Sequence, residues 1–97
     1  MSFESIHNYY EQLVLDRIQE LSDTRLAGED EDFLCDVACV ALNQLPARYV
    51  RHNVDTVFYM PIQEREHIQR EVITMVDKAI EYVEQHRGDP RPQTILR

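Results

Sequence analysis

One segment constrains the fold of this chain more than any other. Residues 32 to 45 are apolar at most helical positions, namely Phe33, Leu34, Val37, Ala38, Val40, Ala41, Leu42 and Leu45. A helix that is apolar nearly all round must be surrounded by other elements of its fold. Pro46 ends it, because proline disfavours the helical conformation in the residue that precedes it. The segment therefore predicts a central, buried helix.

Two longer helices are predicted on either side of it. The first covers residues 5 to 26, with Ile6, Tyr10, Leu13, Val14, Ile18 and Leu21 at helical spacing. The acidic run that follows, residues 29 to 32, is expected to provide the N-cap of the central helix through Asp30 or Asp32. The third helix covers residues 62 to 86. We therefore predict an all-α fold, a small three- to four-helix domain with a central buried helix and a basic loop.

The apolar residues of the third helix span a wide arc. They are Ile68, Val72, Ile73, Met75, Val76, Ala79, Ile80, Tyr82 and Val83. They cover about 180° of the helix, whereas packing against one core needs a stripe of roughly 100°. We attribute the surplus to a second contact with a twofold-related copy, which predicts a homodimer.

Length and charge limit what else the chain can be. Its 97 residues predict a single domain over residues 1 to 97, ordered from about 5 to 86 and followed by a flexible tail over 88 to 97. A net charge of -8 disfavours binding to nucleic acid. With no signal peptide and no stretch that could span a membrane, we expect a cytoplasmic location and no membrane partner.

Enzymatic and metal chemistry find little support. The chain lacks GxSxG, HExxH and a glycine-rich phosphate loop, so we do not expect an enzyme or a cofactor. Cys35 and Cys39 lie one helical turn apart and are expected to be buried thiols rather than metal ligands. Cys39, mid-helix among apolar residues, is a poor nucleophile.

The segment after Pro46 is the candidate site. It concentrates basic, aromatic and acidic side chains, namely Arg48, Tyr49, Arg51, His52 and Asp55. Arginine grips phosphate with a planar fork, tyrosine can stack on a base, and a carboxylate can accept from guanine. On the central helix, Asp36, Cys39 and Asn43 form a narrow polar seam. The alternative is structural: Arg48 and Arg51 would pair with Asp36, Asp55 or the acidic run, and Asn43 would hold the following loop.

Residues 32 to 55, with Phe58 and Tyr59 after them, resemble the late competence development protein ComFB family. The resemblance is most specific in the Leu-Asn-x-Leu-Pro-x-Arg-Tyr-Val core from Leu42 to Val50. The opening His-Asn-Tyr-Tyr-Glu-Gln-Leu-Val (residues 7 to 14) and the close Ala-Ile-Glu-Tyr-Val (residues 79 to 83) fit as well. The resemblance therefore covers about residues 5 to 86.

This resemblance implies a small helical protein, commonly dimeric, linked in name to natural competence and associated with binding cyclic di-GMP. The residues whose chemistry suits that ligand are Arg48, Tyr49, Arg51, His52, Asp55 and Asn43. We therefore expect a cytoplasmic receptor that regulates a still unknown protein partner. The alternative is a dimeric structural adaptor of the competence type with no small-molecule ligand. Cysteine-rich members suggest structural metal, but this chain has only Cys35 and Cys39, so we expect no metal site here.

Overall fold

The computed structural model describes residues 3 to 51 and 59 to 87. Within them the chain forms three helices, α1 (Tyr9–Glu20), α2 (Glu31–Gln44) and α3 (Ile62–Gln85). Two short strands, β1 (His7–Asn8) and β2 (Tyr49–Val50), form an antiparallel ribbon. The predicted all-α class is confirmed, with this ribbon as an addition. The predicted tail over 88 to 97 lies outside the described residues.

Helix α1 is shorter than the predicted helix over residues 5 to 26. Asn8 caps it, since its side chain accepts from the backbone N–H of Tyr10 at 3.2 Å. Ile6, which was assigned to the helical core face, precedes β1 and is exposed. The start was misjudged because apolar spacing does not show where a cap begins a helix. Its far end gives way at Leu21 to a series of turns.

The turns between α1 and α2 are held by an apolar anchor. Leu26 is only 2% exposed and donates its backbone N–H to the carbonyl of Leu21 at 2.9 Å. Gly28 has a φ of 83°, in the left-handed region that glycine adopts without steric cost. Asp30 then caps α2, accepting from the N–H of Phe33 at 2.8 Å. One of the two predicted caps is therefore confirmed.

Helix α2 ends as expected before Pro46, where Leu45 adopts extended backbone angles. Val37 and Ala41 are completely inaccessible to solvent, and Phe33, Ala38 and Leu45 are also buried. Leu34, Val40 and Leu42 are half-buried and pack against this core. The helix is therefore buried on more than one side, as predicted, but part of its surface remains exposed to solvent.

Helix α3 packs against both α1 and α2. Its buried residues are Ile68, Val72, Val76, Ala79, Ile80 and Val83. Two helix contacts within one chain account for most of the wide apolar arc. Ile73 and Tyr82 remain 38% and 41% exposed on opposite flanks of the arc. The homodimer therefore stays a prediction, and α3 leaves less apolar surface exposed for it than the sequence suggested.

Ion pairs tie the turn segment to the end of α3. Arg25 forms a two-pronged pair with Glu84 at 2.8 and 3.0 Å, and Arg87 pairs with Glu29 at 3.0 Å. The Arg87 guanidinium also lies 4.4 Å above the centre of the Phe33 ring. Over the described residues, no helix is both long enough and apolar enough to cross a membrane.

Candidate functional site

The candidate basic segment begins at the two-stranded ribbon. In the antiparallel pairing, Tyr49 of β2 lies opposite Asn8 of β1, and Val50 lies opposite His7. Arg48, Tyr49 and Arg51 therefore lie beside the start of α1. His52 and Asp55 fall outside the described residues, so the structure does not place them. The strand Tyr49–Val50 was not predicted from the sequence.

Asn8 is the residue that locks Arg48 in place. Its side-chain oxygen, which caps α1, also accepts from the backbone N–H of Arg48 at 3.0 Å. The carbonyl of Arg48 in turn accepts from the N–H of Tyr9 at 2.7 Å. Sequence reasoning missed this role. An asparagine just before a helical pattern is a recognisable cap signal, but its second contact, to a residue far along the chain, leaves no local trace.

Exposure alternates along the segment from Arg48 to Arg51. Arg48 and Val50 are half-buried, whereas Tyr49 and Arg51 are exposed, and Tyr49 is 71% exposed. Successive side chains of extended backbone point to opposite sides, which explains the alternation. The structure thus separates the predicted cluster: Tyr49 and Arg51 face solvent, and Arg48 faces the body of the domain.

The side chain of Arg48 is ion-paired with Glu64 in the first turn of α3. Both side chains are about two-fifths exposed, at 41% and 40%. The structural alternative from the sequence had Arg48 pairing with Asp36, Asp55 or the acidic run. The observed partner, Glu64, was not among these candidates. The contact joins the ribbon to α3, so Arg48 stabilises the fold as well as being a candidate ligand contact.

A second polar contact lies close to this pair. The Tyr10 hydroxyl donates to the Glu71 carboxylate at 2.9 Å. Burial raises the pKa of Tyr10 to about 12, and the hydrogen bond and negative charge of Glu71 add to the shift, while the nearby Arg48 opposes it. Arg48 therefore lies near two acidic side chains of α3, and Glu71 already accepts from Tyr10.

The polar seam on α2 is less enclosed than predicted. Asn43 is exposed, so it needs no buried partner, while Asp36 is half-buried. Asp36 lines a depression of about 190 Å³ between the start of α2 and the end of α3, with Phe33, Val83 and Arg87 among its other walls. Asp36 and Asn43 are about two helical turns apart, and only Asp36 lines this depression.

The two thiols differ in exposure. Cys35 is exposed, which corrects the expectation that both are buried, and Cys39 is half-buried. Burial raises the pKa of Cys39, and Cys35 and Asp36 raise it further. A raised pKa keeps a thiol protonated and lowers its reactivity. Within the described ranges, no group of three or more histidine, cysteine or acidic side chains is arranged to hold a metal ion.

Comparison with known proteins locates the chain in a family. Neither the curated proteins nor the solved structures give a match. The family model of the late competence development protein ComFB matches residues 7 to 87. The match spans all three helices, the ribbon and the candidate segment, and it agrees with the resemblance seen in the sequence. The chain belongs to the ComFB family.

Proposed function

We propose that this protein is a cytoplasmic receptor for cyclic di-GMP that regulates a partner protein. The observation that carries the proposal is the exposed pair Tyr49 and Arg51 on one side of the ribbon. A tyrosine ring offers a stacking surface for a base, and an exposed guanidinium can grip a phosphate with two parallel hydrogen bonds. Because the chain carries a net charge of -8, long-range attraction does not help, and close contacts must supply the affinity.

Arg48, His52, Asp55 and Asn43 complete the proposed set of contacts. Arg48 would reach a second phosphate from the other side of the ribbon, once freed from Glu64. Asp55 would favour guanine over adenine, because a carboxylate accepts from the guanine N1–H and amino group. His52 and Asn43 would add polar contacts beside the ligand. We propose no cofactor, no metal and no enzymatic activity.

The test is calorimetric titration of the purified protein with cyclic di-GMP, cyclic di-AMP and GTP. Cyclic di-GMP should bind most tightly. Arg51→Ala should weaken binding by about 10- to 150-fold, since a hydrogen bond to a charged group contributes about 1.5 to 3 kcal/mol. Tyr49→Ala should also weaken it, because base stacking contributes about 1 to 3 kcal/mol.

Arg70→Ala is the matched control. Arg70 is an exposed arginine of α3, so its loss changes the net charge equally without touching the ribbon. It should leave the affinity within about twofold of the wild type, because exposed charges act weakly at a distance. Equal losses in Arg51→Ala and Arg70→Ala would mean that overall charge, and not the ribbon, controls binding.

A second function, a structural adaptor, is favoured by the Arg48–Glu64 pair. If the segment serves only to join the ribbon to α3, no cyclic dinucleotide will give a heat signal, and the receptor proposal is then wrong. In either case we propose a homodimer built on residues 68 to 83 of α3, where Ile73 stays exposed on one flank of the apolar arc and Tyr82 on the other. Sedimentation of the same samples checks this, and a monomer at micromolar concentration would remove it.

A further inference from the structure

The backbone of Arg48 is held in the ribbon, whereas its side chain is partly exposed and is ion-paired with Glu64. Asn8 and Tyr9 hold its N–H and carbonyl at 3.0 and 2.7 Å. Its side chain, by contrast, is 41% exposed, and the guanidinium contacts the Glu64 carboxylate. Movement of this side chain from one partner to another would therefore leave the ribbon in place.

Glu64 is the carboxylate that holds this guanidinium. Glu71 lies two helical turns further along α3 and accepts the Tyr10 hydroxyl at 2.9 Å. Glu64 makes a contact of a different kind, the ion pair with Arg48 at the start of the helix. Any anion that approaches Arg48 meets the negative charge of Glu64 beside it.

We infer that Glu64 is a built-in competitor for the ligand's phosphate at Arg48. This inference rests on the proposed function, in which Arg48 contacts a phosphate of cyclic di-GMP. Without ligand, Glu64 neutralises Arg48 and joins the ribbon to α3. When a phosphate binds, Arg48 leaves Glu64, and the contact between the ribbon and the first turn of α3 is lost. Glu64 therefore lowers the affinity of the site and couples its occupancy to the position of α3.

The test is the substitution Glu64→Gln, which keeps the size of the side chain and removes its charge. A half-exposed ion pair is weak, so its removal should tighten cyclic di-GMP binding by about two- to fivefold in calorimetry. Glu66→Gln is the matched control, because Glu66 is exposed on the same helix and the charge change is the same. A thermal melt of each variant confirms that it is folded.

The gain should also depend on Arg48. In an Arg48→Gln background, Glu64→Gln should add no affinity, because the competitor then has nothing to compete for. Tighter binding that persists in this background would overturn the inference, as would equal gains from Glu64→Gln and Glu66→Gln.

The two proposals fail in different ways. If the wild type binds cyclic di-GMP but Glu64→Gln binds equally well or less tightly, the competitor role is wrong and the receptor proposal stands. Weaker binding would mean that Glu64 positions Arg48 for the ligand instead. If the wild type and Glu64→Gln both fail to bind any cyclic dinucleotide, the proposed function fails, and the competitor role falls with it.

Discussion

The two ends of α3 are joined to the rest of the domain in different ways. At the loop end, where the turns of residues 21 to 30 meet the end of α3, two arginines pair with carboxylates, and Leu26 is buried as an apolar anchor. At the ribbon end, where β1 and β2 meet the start of α3, one arginine pairs with Glu64, and large side chains stay exposed. Tyr49, Tyr59 and Ile62 are 71%, 84% and 64% exposed there.

The two ends differ in whether their charged and aromatic side chains contact one another or face solvent. At the loop end, arginine, aromatic ring and acid are all engaged with one another, as Arg87 lies over Phe33 and pairs with Glu29. At the ribbon end, the same kinds of residue occur, but tyrosine and arginine side chains face solvent. Exposed aromatic and arginine side chains are typical of binding surfaces. We therefore expect the loop end to maintain the fold and the ribbon end to bind a ligand.

The largest expected effect comes from removing the anchor of the loop end. Leu26→Ala should lower the free energy of unfolding by about 2 to 5 kcal/mol, because Leu26 is 2% exposed and its loss leaves a cavity. Tyr49→Ala, at the ribbon end, should change it by less than about 0.5 kcal/mol, because Tyr49 is exposed. Chemical denaturation of both variants measures the contrast. If Tyr49→Ala destabilises as much as Leu26→Ala, the division between the two ends is wrong.

The sequence predicted the helices better than it predicted their connections. The bounds of α2 and α3 agree with the predicted bounds to within one residue, because Asp30, Pro46 and the apolar spacing are local signals. The start of α1 and the ribbon were missed. They depend on Asn8, whose side chain joins residues 40 positions apart, and such a contact has no periodic pattern.

The candidate site was predicted in composition but not in arrangement. Spacing placed Arg48, Tyr49 and Arg51 on one segment, but it could not show that Arg48 lies on the opposite side of that segment from Tyr49 and Arg51. The partner of Arg48, Glu64, lies 16 positions further along the chain and was not singled out. Ion-pair partners are set by the packing of whole elements, so the choice among several acidic residues required the structure.

The second-largest expected effect on stability comes from Tyr10, at the ribbon end. Its folded pKa of about 12 lies above the ordinary value of 10.0, so its contribution to stability is complete below pH 10. That contribution is lost as the pH rises through about 12. Tyr10→Phe should lower the free energy of unfolding at neutral pH by about 0.5 to 1.5 kcal/mol, because the Glu71 carboxylate loses the hydrogen bond from the Tyr10 hydroxyl.

An absorbance titration of the folded protein checks the assignment. The component that ionises near pH 12 should disappear in Tyr10→Phe and remain in Tyr9→Phe, which alters the neighbouring buried tyrosine. A component near pH 12 that survives in Tyr10→Phe would show that this ionisation does not belong to Tyr10.

The smallest expected effect is at the surface of the loop end, in Arg25→Gln. The hydrogen bonds from Arg25 hold the pKa of Glu84 below its usual value of 4.5. Because the folded pKa is lowered, the contribution of this pair is present above about pH 4.5 and lost as the pH falls through the folded value.

Both side chains are well exposed, so solvent and salt screen the pair. Arg25→Gln should therefore melt within about 2 °C of the wild type at neutral pH, and the two curves should converge in acid and at high salt. A melting temperature lowered as far as in Leu26→Ala would contradict this, because the loop end would then be held by its charges and not by its apolar anchor.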